Sequence, residues 1–263
     1  MAARRPAPFL LFSAAVHLGG LAALVTAPAH WRLVLGLVVA DQALLLAASL
    51  RPRSALLGPN LTRLPRPVAG DELALTFDDG PDPEVTPQVL DQLEQAGAAA
   101  TFFCVGRRAR AHPELIEEIT RRGHRVENHS FRHSKLFFFY PPRLLAREID
   151  RGQEVLERLS RCRPRYFRAP AGIRGPWLDL LLARRGLHLV SWTRRGFDTL
   201  DRDPSRVAGR LVRDLSAGNV LVLHDGDCAR DRGGRPVVLE ALPRLLEAMA
   251  ARGLRSAALP DPE

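Results

Sequence analysis

The chain has 263 residues, 46% hydrophobic and 25% charged, which excludes a disordered or collagen-like protein and leaves room for one α/β domain with something extra. Its formal net charge of +9 rests almost wholly on arginine, with Lys135 the only lysine. The arginines are scattered over expected helix faces without a nucleic-acid-binding motif, so the surplus reads as compositional bias with attraction to anionic lipid head groups or phosphorylated substrates, and no nucleic-acid partner is expected.

Two apolar stretches open the chain, about 9–27 and 33–50. Each approaches the roughly 20 residues that a bilayer crossing needs. Arg4 and Arg5 precede the first, Arg51 and Arg53 follow the second, and His30 and Arg32 lie between them. A signal peptide with a cleavage site near Ala27-Pro28-Ala29 is the rival reading of the first stretch, but it leaves the second unexplained. A membrane-anchoring hairpin over 1–52 explains both. Asp41 at mid-membrane costs about 2.5–3.5 kcal/mol. In an antiparallel hairpin it falls at the depth of His17, so the two are expected to pair. The positive-inside rule puts both Arg-rich flanks, and the domain that follows, on the cytoplasmic side of a bacterial-type inner membrane.

A stretch rich in proline and glycine, 53–70 with Gly58, Pro65, Pro67 and Gly70, reads as a linker. Over 71–258 short apolar runs alternate with helical patterns. Strands are expected near 72–77, 99–104, 124–127, 165–168, 187–192, 219–223 and 254–258. Helices are expected over 84–97, 113–122, 143–161, 204–215 and 237–252. Such alternation predicts a mainly parallel sheet. Cys104, Cys162 and Cys228 form no spaced cluster and cannot all pair; Cys104 reads as a core filler, and no disulfide framework is expected. His112 and His188 read as structural.

The strand ends carry the chemistry. The first runs into Thr76-Phe77-Asp78-Asp79-Gly80-Pro81, and two adjacent carboxylates at a strand tip need a cation or a shared proton. His129 and His133 are four apart, so one helical turn would put both imidazoles on one face. Two histidines and a carboxylate suit a catalytic divalent metal with open positions. Phe167-Arg168-Ala169-Pro170-Ala171-Gly172 offers a guanidinium beside a constrained loop. The run Val190-Ser191-Trp192 leads to Asp198, and Val220-Leu221-Val222-Leu223 ends in His224. Taken singly, Arg168 reads as a surface charge, Asp198 as a helix cap and His224 as a strand-end histidine.

Together and in order, these segments resemble the five motifs of the polysaccharide deacetylase family, the NodB-homology domain of carbohydrate esterase family 4. The resemblance implies a distorted (β/α)7-type barrel after the transmembrane hairpin, with every site residue at a strand C-terminus. It implies Asp79, His129 and His133 as metal ligands, Asp78 as the general base that deprotonates the metal-held water, and His224 as the general acid. It further implies Arg168 orienting Asp78, Asp198 holding His224, the Ala171 backbone N–H binding the oxyanion, and Pro170 and Trp192 contacting substrate. Zinc suits the ligand set, with cobalt or nickel as alternatives.

Three positions depart from the family pattern. Ala171 stands where a tyrosine is common, Thr199 follows Asp198 where tryptophan is common, and Glu127 precedes Asn128 where glycine is common. Reaction type therefore transfers better than substrate. The expectation is a metal-dependent hydrolase removing an N-acyl group, acetyl first, from an amino sugar of a glycan or a lipid-linked saccharide. The alternatives are a deformylase of a lipid-linked amino sugar, an O-deacetylase of a polysaccharide, or a silent glycan-binding membrane scaffold. Phe137-Phe138-Phe139-Tyr140 near the expected cleft reads as a sugar or lipid platform, or as core packing against Leu136 and Leu144.

Overall fold

The computed structural model describes residues 5–65 and 70–262. Arg4 of the expected positive flank and Pro67 of the expected linker lie outside the described residues. Among the described residues there are eight strands: β1 (Glu72–Asp78), β2 (Ala100–Cys104), β3 (Arg125–Asn128), β4 (Tyr166–Phe167), β5 (His188–Leu189), β6 (Arg194–Arg195), β7 (Val220–His224) and β8 (Arg255–Ser256). Their order is β5-β4-β3-β2-β1-β7-β6, with β8 also on β1, and every pairing is parallel. The sheet curls into an open half-barrel. β5 and β6, neighbours in the chain, lie at its two opposite edges. The sequence pattern predicts seven of these strands; β6 is two arginines, with no apolar run to announce it.

The helices are α1 (Pro8–Thr26), α2 (Trp31–Ser49), α3 (Thr86–Gln95), α4 (Gly106–Ala111), α5 (Pro113–Arg121), α6 (Pro142–Ser160), α7 (Leu178–Ala183), α8 (Pro204–Val212) and α9 (Val238–Ala250). Their starts follow local chemistry. Proline occupies the first turn of α3, α5, α6 and α8, where no amide hydrogen is needed. The Asp203 carboxylate caps α8 by accepting from the Ser205 and Arg206 amides.

Strand alternation sorts the core. Leu73, Leu75 and Phe77 of β1 pack outward with Leu221 and Leu223 of β7 and the apolar faces of α3, α5, α8 and α9. Ala74 faces inward with Phe103, Tyr166 and Val220. Period two then places Thr76 and Asp78 on the inner face. The register pairs Asp78 directly with His224 across β1 and β7.

The segment expected as a linker is packed onto the barrel. The Leu61 N–H donates to the Leu189 carbonyl at 2.9 Å, the Ser191 N–H donates to Leu61 at 2.9 Å, and the Leu64 N–H donates to Gly218 at 2.8 Å. Residues 61–64 thus run along the β5 edge towards β7, with Leu57 and Leu64 buried. A composition of proline and glycine signalled irregular backbone there, and the backbone is irregular but not free.

α1 and α2 pack side by side, joined by the short turn Pro28–His30. Both are long and apolar enough to cross a membrane, and large side chains such as Leu18, Leu21 and Leu33 are exposed along them. The expected His17–Asp41 contact is present, and Ser13 joins it with the shorter bond. Asp41 takes its hydrogen bond from Ser13 Oγ at 2.6 Å, while His17 Nδ1 is 3.7 Å away. His17 bonds the Ser13 carbonyl at 2.8 Å and lies 3.0 Å from Gln42 Nε2. Ser13, one turn before His17, reaches Asp41 with a shorter side chain.

Glu127, one of the three departures, faces away from the catalytic end. Its carboxylate accepts from Arg125 Nε at 2.5 Å and from the Arg165 and Tyr166 amides at 2.7 and 2.6 Å, tying β3 to the start of β4. Burial pushes this carboxyl up to about 7 against the pull of Arg125 and the two amides. Replacing one member of a buried ionic cluster leaves the rest uncompensated. Glu127→Ala is therefore expected to destabilise the protein by about 3–5 kcal/mol, measured as a lowered thermal midpoint of the full chain in detergent.

Candidate active site

The C-terminal ends of β1, β3, β4 and β7 converge. Asp78 closes β1 on the inner face, and its Oδ1 accepts from Arg168 Nη1 at 2.6 Å. Arg168, directly after β4, is fully buried. It also donates to Thr76 Oγ1 at 2.8 Å, to the Ser191 carbonyl at 2.9 Å and more weakly to the Val190 carbonyl at 3.4 Å, with the Phe103 ring 4.0 Å beneath. Burial pulls its pKa down and the Asp78 charge opposes that. The guanidinium is therefore a pinned cation, not the surface charge that Arg168 alone would suggest.

Asp79 leaves the strand in the left-handed region, φ 72°, which turns its side chain away from that of Asp78. Its Oδ1 lies 3.2 Å from His129 Nε2 and 3.0 Å from His133 Nε2. The two imidazoles face each other at 4.7 Å between centroids. No helix holds them. Residues 129–136 form an irregular loop, with Ser130 and His133 at φ 66° and 54°, and Ser130 Oγ accepts the His133 amide at 3.0 Å. The spacing of four gave the right neighbourhood for the wrong reason.

Three ligand atoms from Asp79, His129 and His133 lie within 4.8 Å of one another. His129 Nδ1–H donates to the Arg168 carbonyl at 2.8 Å, so the neutral ring presents a lone pair at Nε2. Asp79 Oδ1 is buried and has no hydrogen-bond partner. Converging lone pairs on a carboxylate are what a divalent cation satisfies, so this donor set fits a metal. His133 is the partly exposed member, which leaves the open side towards solvent.

His224 ends β7. Its Nδ1 is 2.8 Å from Asp198 Oδ1, and its amide donates to Asp198 Oδ2 at 2.7 Å. Burial alone would lower the imidazole; the Asp198 charge and hydrogen bond, with Asp78 and Asp79 behind them, push it up to about 9. Ala171 sits at the exposed rim with φ 55°, and Pro170 is buried beside it. Trp192 is mostly buried, its ring 5.9 Å from the Arg168 guanidinium.

Two supporting residues escaped sequence reasoning. Asp225 is fully buried, accepts from Thr86 Oγ1 at 2.7 Å and is pushed up to about 7 by burial first, then by Asp79 and Asp78. A Cβ at Gly80 would strike its carboxylate. Its place directly after His224 was a usable signal. Thr76 was findable from strand periodicity, two residues before Asp78 on the same face. Of the aromatic run, Phe137 is buried with Leu145 and Ile149, whereas Leu136 and Phe139 are exposed, so the expected packing against Leu136 does not occur.

The sequence profile described as polysaccharide deacetylase matches residues 66–189. A chitooligosaccharide deacetylase from Bradyrhizobium is 33% identical over 197 residues, spanning 71% of this chain and 88% of that protein. The chain belongs to the polysaccharide deacetylase family. It is thereby a hydrolase of the polysaccharide or amino-sugar deacetylase class. A peptidoglycan-N-acetylglucosamine deacetylase from Bacillus cereus is 31% identical, spanning 70% of this chain and 84% of that protein. The family 4 carbohydrate esterase from Streptomyces lividans, solved with acetate, superimposes with a TM-score of 0.64 at 29% identity, covering 72% of this deacetylase and 93% of that chain.

Removing a ligand should empty the proposed metal site without unfolding the barrel. Asp79→Ala and His133→Ala are each expected to lower bound zinc from about one per chain to near zero, read by elemental analysis alongside an unchanged circular dichroism spectrum.

Proposed function

We propose that this deacetylase is a membrane-anchored, metal-dependent enzyme that removes an N-acetyl group from an amino sugar. The observation that carries the reading is the convergence of Asp79, His129 and His133 beside two separately compensated groups, Asp78 on Arg168 and His224 on Asp198. Zinc held by the three ligands would polarise the amide carbonyl and lower the pKa of water to about 7.

The chain's own residues then divide the proton work. Arg168 fixes Asp78 through Oδ1 and leaves Oδ2 to take the proton of the attacking water; this oxygen lies 4.0 Å from His129 Nε2. Asp198 holds the His224 Nδ1–H, so Nε2 carries the proton that the leaving amine needs. Amide nitrogen is a poor leaving group until protonated, so an imidazole kept charged by Asp198 suits N-deacylation. The Ala171 N–H, at a rim held in a left-handed turn, is assigned to the oxyanion. Pro170 and Trp192 flank this loop as substrate-side walls.

The hairpin is read as the anchor. Arg5 before α1 and Arg51 and Arg53 after α2 put both ends on one side, the cytoplasmic face by the positive-inside rule. Cys162 is exposed, so a membrane-impermeant maleimide should label it only after permeabilisation; labelling on intact cells would place the domain outside.

Purified protein with zinc should release acetate from N-acetylated chitooligosaccharides, and Asp78→Asn should lower the rate by at least about a hundredfold. Release of formate alone from matched N-formyl substrates would change the acyl group; stoichiometric zinc with no release from any amino sugar would sink the reading.

The pH profile tests the acid. His224 works when protonated, so activity is present below its raised pKa and falls as pH rises through it, near 9. Asp198→Asn removes the charge that counters burial. The alkaline limb of kcat/KM is therefore expected to move down by about 1–3 pH units, and an unmoved limb would assign that limb to another group.

A further inference from the structure

Between the exit of α2 and the catalytic cleft lies a cavity of about 660 Å³ whose lining includes five arginines and no carboxylate. Two of the five are neutralised: Arg194 pairs with Asp214 and Arg210 with Asp201, at 2.8 and 2.7 Å. Arg53, Arg195 and Arg213 have no carboxylate partner among the described residues. Arg195 makes only a long contact to Thr199 Oγ1 at 3.4 Å, and its Nε is buried without a partner. Its guanidinium sits 5.5 Å from the Trp192 ring and 5.3 Å from the Phe197 ring. Arg53 gives one bond, from Nη1 to the Thr193 carbonyl at 3.3 Å. Guanidinium groups without a carboxylate partner in an aromatic-walled cavity match a bidentate oxyanion such as phosphate.

Position says which phosphate. Pro52 and Arg53 of the wall follow α2, which ends at Ser49, so the cavity opens where the anchor leaves its apolar environment. Phe197 and Leu200 beside it are 45% and 76% exposed, an apolar surface next to the charge. The other wall, Trp192, is shared with the site, since the same ring faces Arg168 at 5.9 Å. Phosphate here would lie one indole away from the Arg168–Asp78 pair.

We propose that this cavity binds the phosphate of a membrane lipid, and that the amino sugar entering the cleft is carried on such a lipid. The proposal rests on the membrane-anchor and deacetylase readings above, and its test is a binding measurement that needs no turnover. Full-length protein in a neutral maltoside detergent is titrated calorimetrically with dihexanoyl phosphatidic acid, dihexanoylglycerol and inorganic phosphate. Phosphatidic acid is expected to bind at least about tenfold more tightly than inorganic phosphate, with no heat from dihexanoylglycerol. Arg195→Gln and Arg213→Gln should each weaken that binding about tenfold, and Arg195→Lys should restore part of it. Equal affinity for inorganic phosphate would make this a free-anion site and overturn the lipid assignment. Wild-type affinity in both glutamine variants with unchanged thermal midpoints would overturn the site itself. Asp78→Asn should bind phosphatidic acid as the wild type does. Failure of acetate release therefore leaves this result standing, and loss of binding with acetate release intact overturns this inference alone.

Discussion

One buried guanidinium organises the catalytic end of the barrel. Arg168 is out of water, and desolvating a cation costs several kcal/mol unless partners compensate. The partners come from two places in the chain: the Asp78 carboxylate and Thr76 hydroxyl on β1, and the Val190 and Ser191 carbonyls just beyond β5. Satisfying Arg168 therefore fixes the distance between strands that are not neighbours in the sheet. The same residue acts through its backbone, because its carbonyl receives the His129 Nδ1–H. Side chain and carbonyl together set the orientation of Asp78 and the tautomer of His129. A change at Arg168 would be felt by both halves of the site at once.

The adjacency of Asp78 and Asp79 looks costly until their surroundings are separated. Strand geometry points Asp78 inward to Arg168, and the left-handed φ of Asp79 sends the next carboxylate to the two histidines. Neighbouring carboxylates thus have different partners, a guanidinium for one and two imidazoles for the other, and do not compete for the same group. His224, opposite Asp78 in register, is held by a third carboxylate, Asp198. Strained backbone gathers around these groups: Asp79, Ser130, His133, Ala171 and Phe197 all have positive φ, and all lie in loops that follow strands. Over-determined contacts sustain such conformations, and the Ser130–His133 hydrogen bond is one of them.

Much of this was legible because strands that end in chemistry have a simple signature. Leu73 to Asp78 and Val220 to His224 are apolar runs that stop at ionisable residues, so both elements and both tips could be read directly. Two of the elements that escaped lacked such contrast. β6 consists of Arg194 and Arg195, whose side chains advertise a loop, and α4, Gly-Arg-Arg-Ala-Arg-Ala, has too few apolar residues to show a stripe. The metal-type cluster was found through residue identity, while its backbone was misjudged. A spacing of four is common to a helical turn and to a folded loop, and only the tertiary bonds of Ser130 and Arg168 distinguish them. The role of Glu127 was illegible for a related reason: its three partners include two amides 38 and 39 residues away.

The segment after the hairpin braces the loop that carries Ala171. Pro52 lies against Gly172, where an added Cβ would come within 3.1 Å of the proline ring, and the Pro52 carbonyl accepts from Ser191 Oγ at 2.5 Å. Arg174, just beyond this loop, is buried and donates to the Ser54 and Gly58 carbonyls. The loop that carries Ala171 is thus buttressed by the segment that leads out of α2. Among the described residues, 50–65 are bonded to the barrel at several points rather than strung out as a free tether. A hairpin bonded in this way stays at a short distance from the cleft, so a swing of the domain would have to break the Ser191, Arg174 and Leu61 contacts together. The same attachment brings Arg53, just after α2, and Arg195, just before the cleft, into one cavity wall.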